Sequence, residues 1–165
     1  LFLGHRVDVE GLNPRSVQGD RVIGEQLARL TRPGPAELDV SQCPDLVPPL
    51  AAMAALRAGE TTAIVNAARL RIKESDRLAS VTQVLNALGA DVEEHADHLV
   101  LRGRERLAGG VTVSGHNDHR IAMMAAIAAT RCQGPVTITG AECVNKSYPR
   151  FWADYEALGG QIART

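Results

Sequence analysis

The sequence predicts an α/β fold in which sheets pack on Ala-rich helices. Three observations point there. Short β-branched runs alternate with longer segments of helical period. Hydrophobic residues fill 45% of the 165 positions but aromatic residues only 3%, so the core must be aliphatic. The chain also aligns with itself: a shift of 73 positions lays residues 39–78 on 112–151 without a gap.

The elements follow in chain order. RVDVEGL (6–12) has the alternation of a strand, and DRVIGEQLARL (20–30) sets Val22, Ile23, Leu27 and Leu30 on one side of a helix. AELDVS (36–41) is a strand. PDLVPPLAAMAALRAG (44–59) is a helix, with Pro48 and Pro49 early enough that their missing N–H groups cost little and Gly59 as its stop. ETTAIVN (60–66) is a strand. A helix over about 75–88 repeats Leu78, Val81, Leu85 and Leu88 at helical spacing and closes at Gly89. DVEEHADHLVLRG (91–103) reads as a hairpin turning at Ala96-Asp97. GVTVSG (110–115) and PVTITG (135–140) are strands, NDHRIAMMAAIAATR (117–131) and PRFWADYEALGG (149–160) helices. The polar loop RGRERLAGG carries no recognisable function.

The self-alignment has eight identical pairs, three of them alanines. The charged pairs say more: Asp45 with Asp118, Lys73 with Lys146, and Arg77 with Arg150. The chain is therefore expected to be part of a single α/β lobe, with internal repeats over about 6–72 and 73–146 and a terminal helix over about 149–160. Equivalent loops of rotated copies gather at one end. Asp45, residues 73–77, residues 118–120 and Lys146 should then share one rim.

Composition narrows the function. The formal net charge of −1 argues against a bulk electrostatic partner such as duplex DNA or an acidic membrane. Five scattered aromatics make no stacking platform for single strands. Cys43, Cys132 and Cys143 show no CxxC spacing and are read as reduced thiols of a cytoplasmic protein, a nucleophile being the alternative. No run approaches the roughly 20 apolar residues of a membrane span. The opening LFLGHR lacks Met and a signal-peptide pattern, and is expected to be a cut from a longer chain.

The chemistry concentrates in RLRIKESDR (69–77), NDHR (117–120) and Lys146. Arg77 and Arg120 are permanent cations whose planar forks suit carboxylate or phosphate, and Lys73 and Lys146 add compact charges. The starts of the neighbouring helices add N–H groups and partial positive charge. Together they would grip a small, multiply charged anion. The plainer reading is a set of solvated arginines paired locally, such as Glu74 with Arg77. Asp45 and Glu74 could divide acid and base work. For Asp45, and likewise for Asn117 and Asp118, a helix N-cap is the plainer role. His119 is either a proton carrier or a hydrogen-bonded surface histidine. HNDH with His95 and His98 gives no standard zinc spacing, and the usual nucleotide-binding glycine motifs and GxSxG are absent.

RLRIKESDR, NDHRIAM and NKSYPRFW, in this order with CPDLVP upstream, resemble the C-terminal half of the 5-enolpyruvylshikimate-3-phosphate synthases. The likeness runs along essentially the whole chain. It implies repeated βαβαββ units forming one lobe of the enolpyruvyl transferase fold, with the active site in a cleft between two lobes. It implies transfer of the enolpyruvyl group of phosphoenolpyruvate to the 5-hydroxyl of shikimate 3-phosphate, with release of phosphate, no redox or metal cofactor, and inhibition by glyphosate. On this resemblance Arg77, Arg120 and Lys146 bind phosphoenolpyruvate. Asp45 and Lys73 meet shikimate 3-phosphate, with Asp45 as base on the hydroxyl. Glu74 carries the proton for the methylene carbon, and Asp118 and His119 line the pocket. The cations around Glu74 favour its carboxylate form, so Lys146 stands as the alternative donor. Since the other lobe supplies further contacts, this chain alone is expected to lack turnover. Two other readings stay open: a lobe like that of the transferases acting on UDP-N-acetylglucosamine, and a non-catalytic anion-binding module.

Overall fold

A computed structural model describes residues 8, 10, 11, 13 and 15–164. The expected strand over 6–12 lies largely outside them. A 3₁₀ turn at Gly19–Val22 leads into α1 (Ile23–Leu30), which turns Gln26 and Leu30 inward. Then follow β1 (Ala36–Asp39), a 3₁₀ turn at Pro44–Leu46, α2 (Val47–Ala54) and β2 (Thr61–Val65). A 3₁₀ segment at Ala68–Ile72 precedes α3 (Arg77–Ala87), and β3 (Asp91–Glu94) with β4 (Leu99–Arg102) forms the hairpin. The chain continues through β5 (Val111–Ser114), α4 (His119–Ala129), β6 (Val136–Thr139), a 3₁₀ segment at Ala141–Lys146 and α5 (Phe151–Ala157).

The first sheet has the order β1-β2-β4-β3, with β1 and β2 parallel and the other pairs antiparallel. Its inner face is set by alternation. Leu38 pairs with Ile64, Ile64 with Leu99, and Leu101 with both Thr62 and Val92. All of these are buried. β5 and β6 make a second, parallel pair. The helices fill the space behind. α2 buries Val47, Pro48, Leu50, Ala51, Ala52 and Ala54, so it is apolar nearly all round and belongs to the interior. α4 buries seven residues, four of them alanines, and packs beside α2 and α3. Small side chains allow that close approach.

The order strand, helix, parallel strand, 3₁₀ segment, helix thus occurs twice: β1 to α3, then β5 to α5. The two 3₁₀ segments, absent from the sequence reading, begin 73 positions apart, at Ala68 and Ala141. α2 is shorter than expected. It ends at Ala54, and the chain through Gly59 turns instead. Arg57 is the reason. Its guanidinium donates to the carbonyls of Leu30, Arg32 and Gly34 and to the Thr62 hydroxyl, tying the turn to the α1–β1 connection. No helix among the described residues is long and apolar enough to cross a membrane.

Candidate functional site

Three turns deliver the charged residues to one rim: the 3₁₀ turn before α2, the loop between the 68–72 segment and α3, and the turn before α4. Asp45 sits inside the first of these and makes no capping hydrogen bond, so the N-cap reading of Asp45 is overturned. Its carboxylate instead takes three cations from the other turns. Arg77 donates to it at 2.7 Å, Arg120 at 2.9 Å, and the Lys73 ammonium lies 3.4 Å away. Burial pushes the Asp45 carboxyl up, but the Arg120 charge, the Arg77 hydrogen bond and the Lys73 charge outweigh it and leave the group below its ordinary range.

Arg77 is the centre of the cluster. It is a surface arginine only in the sequence; in the fold it is fully buried. Its Nε donates to Asp118 at 2.7 Å, and its two terminal nitrogens donate to Asp45 and to Glu74. The Glu74–Arg77 pair is the i, i+3 contact that local spacing suggested. Asp118, also fully buried, does cap α4: it accepts from the Arg120 N–H at 3.0 Å, and its other oxygen takes the Ser75 hydroxyl at 3.0 Å. Burial alone would raise the Asp118 carboxyl. The Arg77 hydrogen bond and charge, with the Arg120 N–H and Ser75, hold it low. For Arg77, burial works against the charge, and its carboxylate partners more than restore it.

Both neighbouring helix starts are occupied from within. Asp118 takes the Arg120 N–H, and Asp76 caps α3 by accepting from the Ala79 N–H. Those two N–H groups are therefore not offered to a ligand, contrary to the simplest sequence reading. What remains open is side-chain chemistry. Nδ1 of His119 and Nε of Arg120 are buried without a hydrogen-bond partner among the described residues. Lys146 is exposed and donates to Asn117, to the carbonyl at 3.0 Å and to the side-chain oxygen at 2.6 Å. Asp45, Lys73, Glu74, Arg77, Asp118 and Arg120 thus form one bonded cluster; His119 adjoins it in sequence, and Lys146 is tied to it through the residue before Asp118.

Three residues inside the quoted motifs take roles that the sequence did not indicate, and Asp118 rather than Asn117 is the cap of α4. Ser75 holds Asp118. Asn117 holds Lys146 and has left-handed backbone, φ 53, following His116 at φ 51. Arg71 anchors the loop from outside: it donates to both oxygens of Asp76, to Glu94, and to the carbonyls of His95 and Ala96 at the hairpin tip. There the His95 and His98 rings stack at 4.1 Å. The three thiols are free, and burial pushes each of them up, which disfavours the thiolate form that a nucleophile needs. Among the described residues no group of three or more His, Cys, Asp or Glu could hold a metal ion.

The family model described as EPSP synthase (3-phosphoshikimate 1-carboxyvinyltransferase) matches residues 2–155. The 3-phosphoshikimate 1-carboxyvinyltransferase of Clostridium kluyveri is 48% identical over 175 residues, covering 97% of this chain and 41% of that protein. The Clostridium acetobutylicum protein of the same name is 49% identical, covering 98% of this chain and 40% of its own length. The chain therefore spans about 40% of the length of these curated relatives. Among solved structures, an EPSP synthase from Acinetobacter baumannii superposes with a TM-score of 0.69 at 35% identity, over 75% of this chain and 29% of that one. The enolpyruvyl transferase NikO from Streptomyces tendae gives 0.68 at 24% identity, over 82% of this chain and 30% of that one, a likeness of fold.

Proposed function

The chain belongs to the EPSP synthase family, and from that premise we propose that its charged rim is one side of a site for enolpyruvyl transfer from phosphoenolpyruvate to the 5-hydroxyl of shikimate 3-phosphate. One observation carries the reading: three cations from two other turns, Lys73 and Arg77 around the loop before α3 and Arg120 at the start of α4, converge on the single carboxylate of Asp45. The reaction brings together two anionic substrates that repel each other. Its first requirement is fixed positive charge at one point.

The roles follow from what each group can do. Arg120 and Lys146 meet the phosphorylated three-carbon acid; the Nε of Arg120, buried without a partner among the described residues, is a donor that the fold itself leaves unused. Arg77 binds the same substrate with whatever share of its fork Asp45 and Glu74 release. Lys73 and Asp45 meet shikimate 3-phosphate. Asp45, held ionised by its cations, accepts the proton of the attacking hydroxyl. Protonation of the methylene carbon makes the adjacent carbon electrophilic, the hydroxyl oxygen bonds to it, and a tetrahedral intermediate forms. Loss of a methyl proton and of phosphate restores the enol ether. Glu74 already serves as a carboxylate to Arg77, whereas Lys146 carries its protons beside neutral acceptors. That difference supports Lys146 as donor and Glu74 as acceptor in the elimination. Asp118 and His119 complete the wall. The transfer is redox-neutral and calls for no redox cofactor. Glyphosate, a small anion in its own right, would compete at this rim. Free thiols support a cytoplasmic setting.

The test is phosphate release from the two substrates. This chain alone is expected to give negligible turnover, because about 60% of the length of its relatives is outside it. Inserted in place of the matching segment of the Clostridium kluyveri relative, it should restore turnover. A folded but inactive chimera would remove the enzymatic reading, and steady turnover by the chain alone would remove the need for a second lobe.

A further inference from the structure

We propose that Asn117 is a positioning residue that holds the Lys146 ammonium in place while leaving its charge unspent for an anionic ligand. The proposal rests on the reading of this rim as an anion site and deepens it. The two halves of the chain supply the contrast. In the first, Lys73 reaches across to the turn before α2 and lies 3.4 Å from the carboxylate of Asp45. In the second, Lys146 reaches across to the turn before α4 in the same way, but finds the amide oxygen and carbonyl of Asn117 at 2.6 and 3.0 Å. The aspartate that matches Asp45 in the self-alignment, Asp118, has turned inward to Arg77 and Ser75.

The consequence is electrostatic. Arg77 has three carboxylate partners, and Arg120 and Lys73 share Asp45. Among the described residues Lys146 has no carboxylate within the 4.0 Å of an ion pair. Four cations stand against three carboxylates in the cluster, and the uncompensated one is Lys146. A neutral acceptor fixes an ammonium by hydrogen bonding without cancelling its field; a carboxylate would do both. The left-handed backbone at Asn117, φ 53, turns the carbonyl and the side-chain oxygen of one residue toward the same nitrogen. Asn tolerates that conformation better than most residues do.

Titration of the 165-residue chain with inorganic phosphate, followed by ¹H–¹⁵N correlation spectra that also verify the fold, separates the alternatives. Asn117→Gly accepts the left-handed backbone freely, keeps the backbone carbonyl and loses the side chain with its acceptor oxygen; it should weaken phosphate by about threefold. Asn117→Asp keeps both acceptors and adds a charge; it should weaken phosphate more, by about tenfold, and approach the effect of Lys146→Ala. A purely structural role for Asn117 would rank the variants the other way, with Asp closer to the wild type than Gly. That ranking, or equal affinity in all variants, overturns the proposal while leaving the anion site standing. A folded wild-type chain that binds no phosphate at tens of millimolar removes the anion site itself, and this inference with it.

Discussion

Asp118→Asn removes one charge from the most buried part of the cluster and nearly nothing else. The side chain keeps its shape and can still cap α4. What changes is the partner of Arg77, whose guanidinium is equally buried and donates to Asp118 at 2.7 Å. Depriving a buried ion of its counter-charge costs about 3–5 kcal/mol. Arg77 keeps Asp45 and Glu74, which places the expected loss at the lower end, about 3 kcal/mol. For a chain of this size that corresponds to a fall in melting temperature of about 6–12 °C. Urea unfolding followed by far-UV circular dichroism measures it, provided the denaturant slope is unchanged. The double variant Arg77→Met/Asp118→Leu sharpens the test. It leaves no orphaned buried charge, and Asp45 and Glu74 are exposed enough to rehydrate, so it should lose less than the sum of its single changes. A loss below 1 kcal/mol for Asp118→Asn, or strict additivity in the double variant, would refute the counter-charge argument.

Acid should act on the same groups. The folded-state values of Asp45 and Asp118 lie below the ordinary 3.8, so their stabilisation is fully present above about pH 4 and drains away as pH falls through the lowered values. The urea midpoint should be flat from neutrality to about pH 5 and drop below pH 4; a midpoint that rises on acidification contradicts the sign. Gly103→Ala places a methyl carbon 1.8 Å from the Arg57 carbonyl oxygen, backbone against backbone. It should cost about 2 kcal/mol or more in the same unfolding assay, and a neutral outcome would mean that β4 and the turn at Arg57 can part freely. Arg71→Ala should speed amide exchange at His95, whose N–H donates to His98 across the hairpin turn, and at Ala79, whose N–H is capped by Asp76. Acceleration at only one of the two sites would show that Arg71 does not couple hairpin and loop.

Much of the fold was legible because it rests on periodicity. The alternation around Ile64 and Leu99, the turn at Ala96-Asp97 and the early prolines of α2 each carry a local signal that tertiary contacts did not need to override. The 3₁₀ segments at 68–72 and 141–146 carry none, since three residues per turn over so short a run leave no stripe to read. The premature end of α2 depends on where the Arg57 guanidinium finds carbonyls, in a loop more than twenty residues upstream. The gathering of the charged residues was legible from the repeat. Their burial was not. Arg77 and Arg150 are identical in the self-alignment, yet one is fully buried and the other's side chain is 81% exposed beside Asp154. Nothing near either arginine in sequence announces the difference, because the deciding partner, Asp118, lies 41 positions from Arg77. For the same reason Asp45 looked like a cap. Asn117 could have been found from the repeat by asking what faces Lys146 where Asp45 faces Lys73.

The bonds that converge on Arg77 and Asp45 span 32, 41 and 75 residues of chain. Contacts of such separation can form only after the intervening segments have collapsed, since the entropy of closing those loops must first be met. The charged rim is therefore a late arrival in folding, built on helices and strands that have already met. Substitutions in it should leave the refolding rate nearly untouched and appear as faster unfolding, so the rim sets how long the native state lasts more than how quickly it is reached.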